Sequence, residues 1–125
     1  MGQTTFLRSQ AGMVDSSKLI GCKVENPQNE NLGKIESLML DLRKGRVAYA
    51  VLSFGGFLGM GDKLFPVPME ALRFDAAEER CVIDVDKERL KSAPGYTRDQ
   101  LPDATDRGWT SQIFRHYGYE PYWEE

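Results

Sequence analysis

Cys22, Cys81 and His116 are the side chains of this 125-residue chain best equipped for nucleophilic, redox or metal chemistry. A zinc cage or a serine-protease-type relay needs imidazole at set positions, and His116 has no second ligand of its own kind, so its reading is packing. The two cysteines form no CxxC and have no histidine beside them. Each sits in an apolar, strand-like context, where a free thiol behaves as a small buried hydrophobe; a disulfide or redox pair is the sharper alternative. The acidic pairs Glu78-Glu79, Asp84 with Asp86, and Glu124-Glu125 read as solvated surface, because acid and base carboxylates need opposed environments that spacing does not supply. The glycine-rich stretch Gly55 to Gly61 has neither a GK[ST] ending nor the order GxGxxG. A strand follows it, where a phosphate would need a helix N-terminus. A small hydrolase or redox enzyme would have to work with these parts alone. The expectation is a non-enzyme with no catalytic, metal or cofactor-binding residue and no cofactor.

Bulk properties narrow the partners. A formal charge of −3 gives no electrostatic reason to approach a phosphate backbone, so nucleic acid is not expected. A chain of this length folds as one domain and buries about two thirds of the surface it exposes when unfolded, enough for a core without disulfide or metal. The start, MGQTTFLRSQAGMV, has no apolar run of signal-peptide length, and no later segment approaches the ~20 apolar residues of a membrane span. A cytoplasmic protein without an integral membrane segment is expected. Gly2 fails as a myristoylation site because Phe6 stands where Ser or Thr is needed.

The elements are predicted from alternation and turn signals. Leu19 to Val24 reads as a strand, followed by a turn over Asn26 to Asn31. Leu32 to Leu42 reads as a second strand, half-solvated at first and then covered on both faces around Leu38 to Leu40. Helical spacing also fits that segment, but Arg43-Lys44-Gly45 is a hairpin-length link into the β-branched run behind it. In Val47 to Phe54, Val47, Tyr49 and Val51 lie on one face, with Ala48, Ala50, Leu52 and Phe54 on the other. A strand apolar on both faces must be covered twice. Gly55 to Gly61 carries Phe57, Leu58 and Met60 between its glycines. Lys63 to Val67 then forms a strand that Pro66 and Pro68 confine to an edge or bulge. A helical turn at Met69 to Leu72 precedes strands at Arg73-Phe74 and Cys81 to Val85, the latter with Cys81, Ile83 and Val85 inward. Asp86 caps a short helix that Pro94-Gly95 stops.

Beyond Gly95 comes a polar linker to Thr105. A helix over Asp106 to Tyr117 follows and ends at Gly118. Trp109, Ile113 and His116 share one stripe with Phe114 and Tyr117 beside them, and Tyr119, Tyr122 and Trp123 follow in an extended tail. Seven aromatic or imidazole side chains from Trp109 to Trp123 are too many to leave in water, each aromatic burying ~150–250 Å². They either cover the second face of the sheet, the favoured reading, or form a subunit interface. The candidate interaction surface is Phe57, Leu58, Met60, Trp109, Phe114, Tyr117, Tyr122 and Trp123.

Leu19-Ile20-Gly21, the Leu32-Gly33-Lys34-Ile35 step, Leu40-Asp41, the strand Gly45 to Val51, the glycine loop and Lys63-Leu64-Phe65-Pro66-Val67-Pro68 together resemble the PRC-barrel family. That family includes the cytoplasmic part of the photosynthetic reaction-centre H subunit and the C-terminal domain of a ribosome maturation factor. The run Ala93 to Trp123 is similar to the tail of stand-alone bacterial members. The resemblance implies an all-β fold, a small PRC-type β-barrel of about six strands with a short helix and a C-terminal helix plus aromatic tail. Residues 1–17 are then an N-terminal tail, 18–94 the barrel, and 95–125 an extension packed on the barrel or on a partner subunit. It also implies a protein-interaction or adaptor module with no catalytic residues to carry over. The expected partners are a second copy of the chain, as a homodimer, and an unknown protein. The alternative is an accessory subunit supporting an electron-transfer or photosynthetic complex.

Overall fold

Residues 46–55 are rich in valine, tyrosine and phenylalanine, which favour an extended backbone, and they form a strand buried without a break from Ala48 to Ser53. The computed structural model describes residues 12–55, 62–97, 100 and 107–124. Its elements are a one-turn helix α1 (Ser16–Leu19) and strands β1 (Lys23–Glu25), β2 (Asn31–Asp41), β3 (Arg46–Gly55) and β4 (Asp62–Pro68). A 3₁₀ turn (Met69–Ala71), strands β5 (Leu72–Asp75) and β6 (Arg80–Ile83), helix α2 (Lys87–Lys91) and strand β7 (Tyr96–Thr97) follow. The C-terminal helix α3 (Arg107–His116) and a 3₁₀ turn (Tyr122–Glu124) complete them.

The fold is all-β in its main body, as expected, with seven strands in the order β5-β6-β1-β2-β3-β4-β7. Every neighbouring pair is antiparallel except β1 with β6, whose register sets Val24 opposite Cys81. Among the described residues the ladder does not close, because β5 and β7 are its two ends. The sheet still curls around one core, to which Val24, Leu32, Ile35, Ala50, Leu52, Phe65, Val67, Leu72, Cys81 and Ile83 contribute from six strands. The outer face of β3 and β4 carries a second cluster, Ala48, Tyr49, Val51 and Leu64, covered by Phe114 and Tyr122. The doubly apolar strand is therefore covered twice.

Several expectations change. The residues predicted as a strand over 19–24 instead begin as α1, because the Asp15 carboxylate accepts the Ser17 N–H at 2.9 Å and starts a helical turn. The strand opens only at Lys23, after Gly21. The linker after Gly95 contains the seventh strand, β7, paired with Lys63 and Leu64. Among the described residues its pairing stops short of Pro66 and Pro68, which have no N–H to offer it. Leu40 is not covered on both faces: it is 60 % exposed. Val82 is buried along with Cys81 and Ile83, so the β6 strand meets water less than its alternation predicts.

Two extra residues explain the register. Ile35 pairs Leu52 and Ser37 pairs Val51, leaving Glu36 over; Met39 pairs Tyr49 and Leu40 pairs Val47, leaving Ala48 over. Such bulges bend a strand and re-aim its side chains, which moves Ala48 from the inner to the outer cluster. Gly33, at φ +102, lies so close to β3 that a Cβ there would sit 2.0 Å from the Ser53 carbonyl oxygen. The turn over 26–30 is tied to the segment between β6 and α2 by the buried Asn26. Its Oδ1 accepts from Gln28 and Glu30 N–H at 3.1 and 2.9 Å, and its amide donates to the Val85 carbonyl at 3.1 Å. Asp86 caps α2 as predicted, accepting the Arg89 N–H at 2.7 Å.

Candidate interaction surface

Asp41 ends β2, and its side chain organises the turn that follows. Oδ1 accepts from the Arg43 and Lys44 N–H groups at 3.0 and 3.1 Å, which turns the chain toward Gly45 in the left-handed region at φ +64. The other oxygen accepts the Tyr122 hydroxyl, so one carboxylate holds both the hairpin and the C-terminal turn. The Tyr122 bond, then the Lys44 N–H, hold the Asp41 carboxyl below its ordinary range. Burial, reinforced by Asp41, pushes the Tyr122 phenol upward. Arg46 lays its guanidinium 3.9 Å from the centre of the Tyr122 ring and reaches Glu70 at 3.4 Å.

Phe114 is fully buried and meets Tyr122 and Trp123 at ring-centre distances of 6.0 and 5.3 Å. Tyr122 and Trp123 meet edge to face at 5.0 Å, and Arg107 covers Trp123 at 4.5 Å. Tyr49 lies beneath them, its phenol pushed up to about 12 by burial and then by Tyr96. Tyr49, Arg107, Tyr122 and Trp123 form one wall of a groove of about 450 Å³ whose other wall is the β2–β3 turn with Met39, Leu40, Leu42 and Arg43. Leu40 and Leu42 stand out of that wall 60 % and 87 % exposed.

The predicted surface residues divide accordingly. Phe57, Leu58 and Met60 lie outside the described residues. Phe114 and Tyr122 do not form an exposed surface: the outer face of β3 is apolar, and burying them there removes both from water. The buried residues of α3 are Thr110, Ser111, Ile113 and Phe114, while Trp109 and His116 are half-buried. Trp109 rests edge-on against Tyr96 at 6.1 Å, and Tyr117 packs against the central core and edge-on to His116 at 5.1 Å. Trp123 stays half-buried at the groove. The tail expected to be extended instead winds into a 3₁₀ turn that lets Tyr122 reach Asp41. Sequence reasoning passed over Leu40, Leu42 and Asp41. The available signal was Leu38-Met39-Leu40-Asp41-Leu42 running up to a turn, which leaves its last apolar residues beyond the sheet's cover.

Of the residues suited to chemistry, His116 sets a ring nitrogen 3.2 Å from the Arg89 carbonyl, while Arg89 donates to the His116 carbonyl. It fastens α3 to α2. Cys22 and Cys81 are both free thiols, the first half-buried and the second buried. Cys22 packs on the cluster that holds Cys81 and is near enough to raise the Cys81 thiol's affinity for its proton, after burial.

A family model for the PRC-barrel domain matches residues 11–90, from just before α1 to α2. The chain belongs to the PRC-barrel domain family. No curated protein matches it. PRC-barrel domains serve in general as small interaction modules. In this PRC-barrel chain the family match stops short of α3 and the aromatic turn, so the groove is built jointly by the domain and by residues beyond the matched stretch. No helix among the described residues is long and apolar enough to cross a membrane.

Proposed function

We propose that this PRC-barrel protein is a non-enzymatic interaction module that self-associates through the β2–β3 turn and the adjoining groove. The observation that carries the reading is the exposure of Leu40 and Leu42, 60 % and 87 %, directly beside an aromatic and arginine-lined groove. Apolar knobs beside a hollow whose walls carry Met39, Tyr49 and Trp123 put both halves of a self-complementary contact on one face. A two-fold axis through that face would seat each copy's leucines against the other's Met39, Tyr49 and Trp123. Helix α3 and the Tyr122–Glu124 turn serve in this reading as part of the interface's foundation, packed on their own domain and not exchanged with the partner.

Sedimentation velocity over a range of concentrations tests it. The wild-type chain is expected to dimerise, and the double variant Leu40→Glu/Leu42→Glu to sediment as a monomer with an unchanged circular dichroism spectrum. A wild-type chain that stays monomeric at every concentration, or a double variant that dimerises equally well, would end the proposal.

A further inference from the structure

β1 and β6 are held together by a short parallel ladder, Val24 with Cys81 and Glu25 with Val82. Just before this ladder on each side stand Cys22 and Glu79, and the Cys22 thiol donates to the Glu79 carbonyl at 3.5 Å. The Cys22 sulfur is thus turned toward the residue that leads into β6, and Cys22 packs on the cluster that holds the fully buried Cys81, next to the only parallel contact among the described strands. One thiol of the pair is half-buried and reachable from solvent, and the other lies behind it in the core. An accessible attacking thiol backed by a resolving thiol is the arrangement that thiol–disulfide exchange requires.

We propose that Cys22 and Cys81 are a reversible modification site at which a low-molecular-weight disulfide oxidises the pair to an intramolecular disulfide that locks β1 to β6. The Cys22 thiolate attacks one sulfur of the small disulfide, forming a mixed disulfide and releasing one small thiolate. The Cys81 thiolate then attacks the Cys22 sulfur, the Cys22–small-thiol bond breaks, and the second small thiolate leaves. Two protons and two electrons pass from the pair to the small disulfide, which becomes two thiols. Burial, and then the neighbouring Cys22, raise the Cys81 thiol's affinity for its proton, so the second step is the slow one and quickens as pH rises. The bond closes a loop of about 60 residues, which raises the thermal midpoint by roughly 10 °C.

The test incubates the folded full chain with mixtures of oxidised and reduced glutathione, quenches with acid, alkylates, and measures intact mass and the thermal midpoint. Support is a monomer lighter by two hydrogens, free of glutathione, with a raised midpoint that dithiothreitol reverses. Cys81→Ala should stop at a glutathione adduct on Cys22, and Cys22→Ser should leave Cys81 unmodified. If the wild-type chain yields only the adduct or a disulfide-linked dimer, or forms the internal bond only in urea, the proposal is overturned. Those outcomes use the wild-type protein and stand even if a variant fails to fold.

Discussion

The hydroxyl of Tyr122 donates to Asp41 Oδ2, tying the last turn of the chain to the residue that opens the β2–β3 turn 81 positions earlier. Because Asp41 Oδ1 also holds the Arg43 and Lys44 N–H groups, the shape of the hairpin and the seating of the tail depend on one charge.

That dependence has a pH signature. The Asp41 carboxyl is depressed in the folded chain, first by the Tyr122 hydrogen bond. Its contribution is present above the unfolded value of about 3.9 and is lost as pH falls through the lower folded value. Tyr122→Phe keeps the ring contacts and removes the bond. The difference in urea midpoint between wild type and variant should therefore be largest near neutrality and shrink below about pH 4. A difference that ignores pH would show that Tyr122 acts without Asp41.

Tyr49 gives the opposite limb. Burial raises its phenol to about 12, so the folded chain keeps the proton after the unfolded chain has lost it. Stability should be intact below about pH 10 and fall as pH climbs from there toward the folded value. Tyr49→Phe should flatten this alkaline loss, and phenolate absorbance during the titration should show one tyrosine fewer ionising late.

Phe114 anchors α3 on the outer face of β3 with no exposed surface. Phe114→Ala should cost about 3–5 kcal/mol by leaving a cavity among Tyr49, Tyr122 and Trp123. Hydrogen exchange in α3 and in the Tyr122 turn should accelerate more than in β1 or β6. Uniform acceleration would mean that the outer layer unfolds only with the whole domain.

At Gly33 a methyl group would overlap the Ser53 carbonyl oxygen, on a backbone that already has positive φ. Neighbouring backbone has no rotamer with which to yield. Gly33→Ala should destabilise by about 3 kcal/mol or more, read as a lowered urea midpoint with unchanged slope. A neutral result would require β2 and β3 to separate locally at no cost.

Local patterns were legible in the residues themselves. Alternation in 47–54 predicts a strand apolar on both faces, Arg43-Lys44-Gly45 predicts the turn before it, and Asp86 predicts its helix cap; all three stand in the structure. Period and capping act over a few residues, so a single chain displays them. Asp15 is the instructive failure, a cap that starts a helix where the apolar run predicts a strand.

The sequence by itself determined the strand-rich pattern and the need for a second apolar layer, because those follow from which side chains must leave water, while the family was carried by the resemblance of its motifs. Only the tertiary structure decided which aromatic residues go inside, that Leu40 and Leu42 stay out, and that Cys22 packs on the cluster holding Cys81. Bulges at Glu36 and Ala48 shift the register, and the parallel pairing of β1 with β6 joins segments more than fifty residues apart. Such pairings are chosen by the closure of the whole core, and no neighbouring residues along the chain encode them.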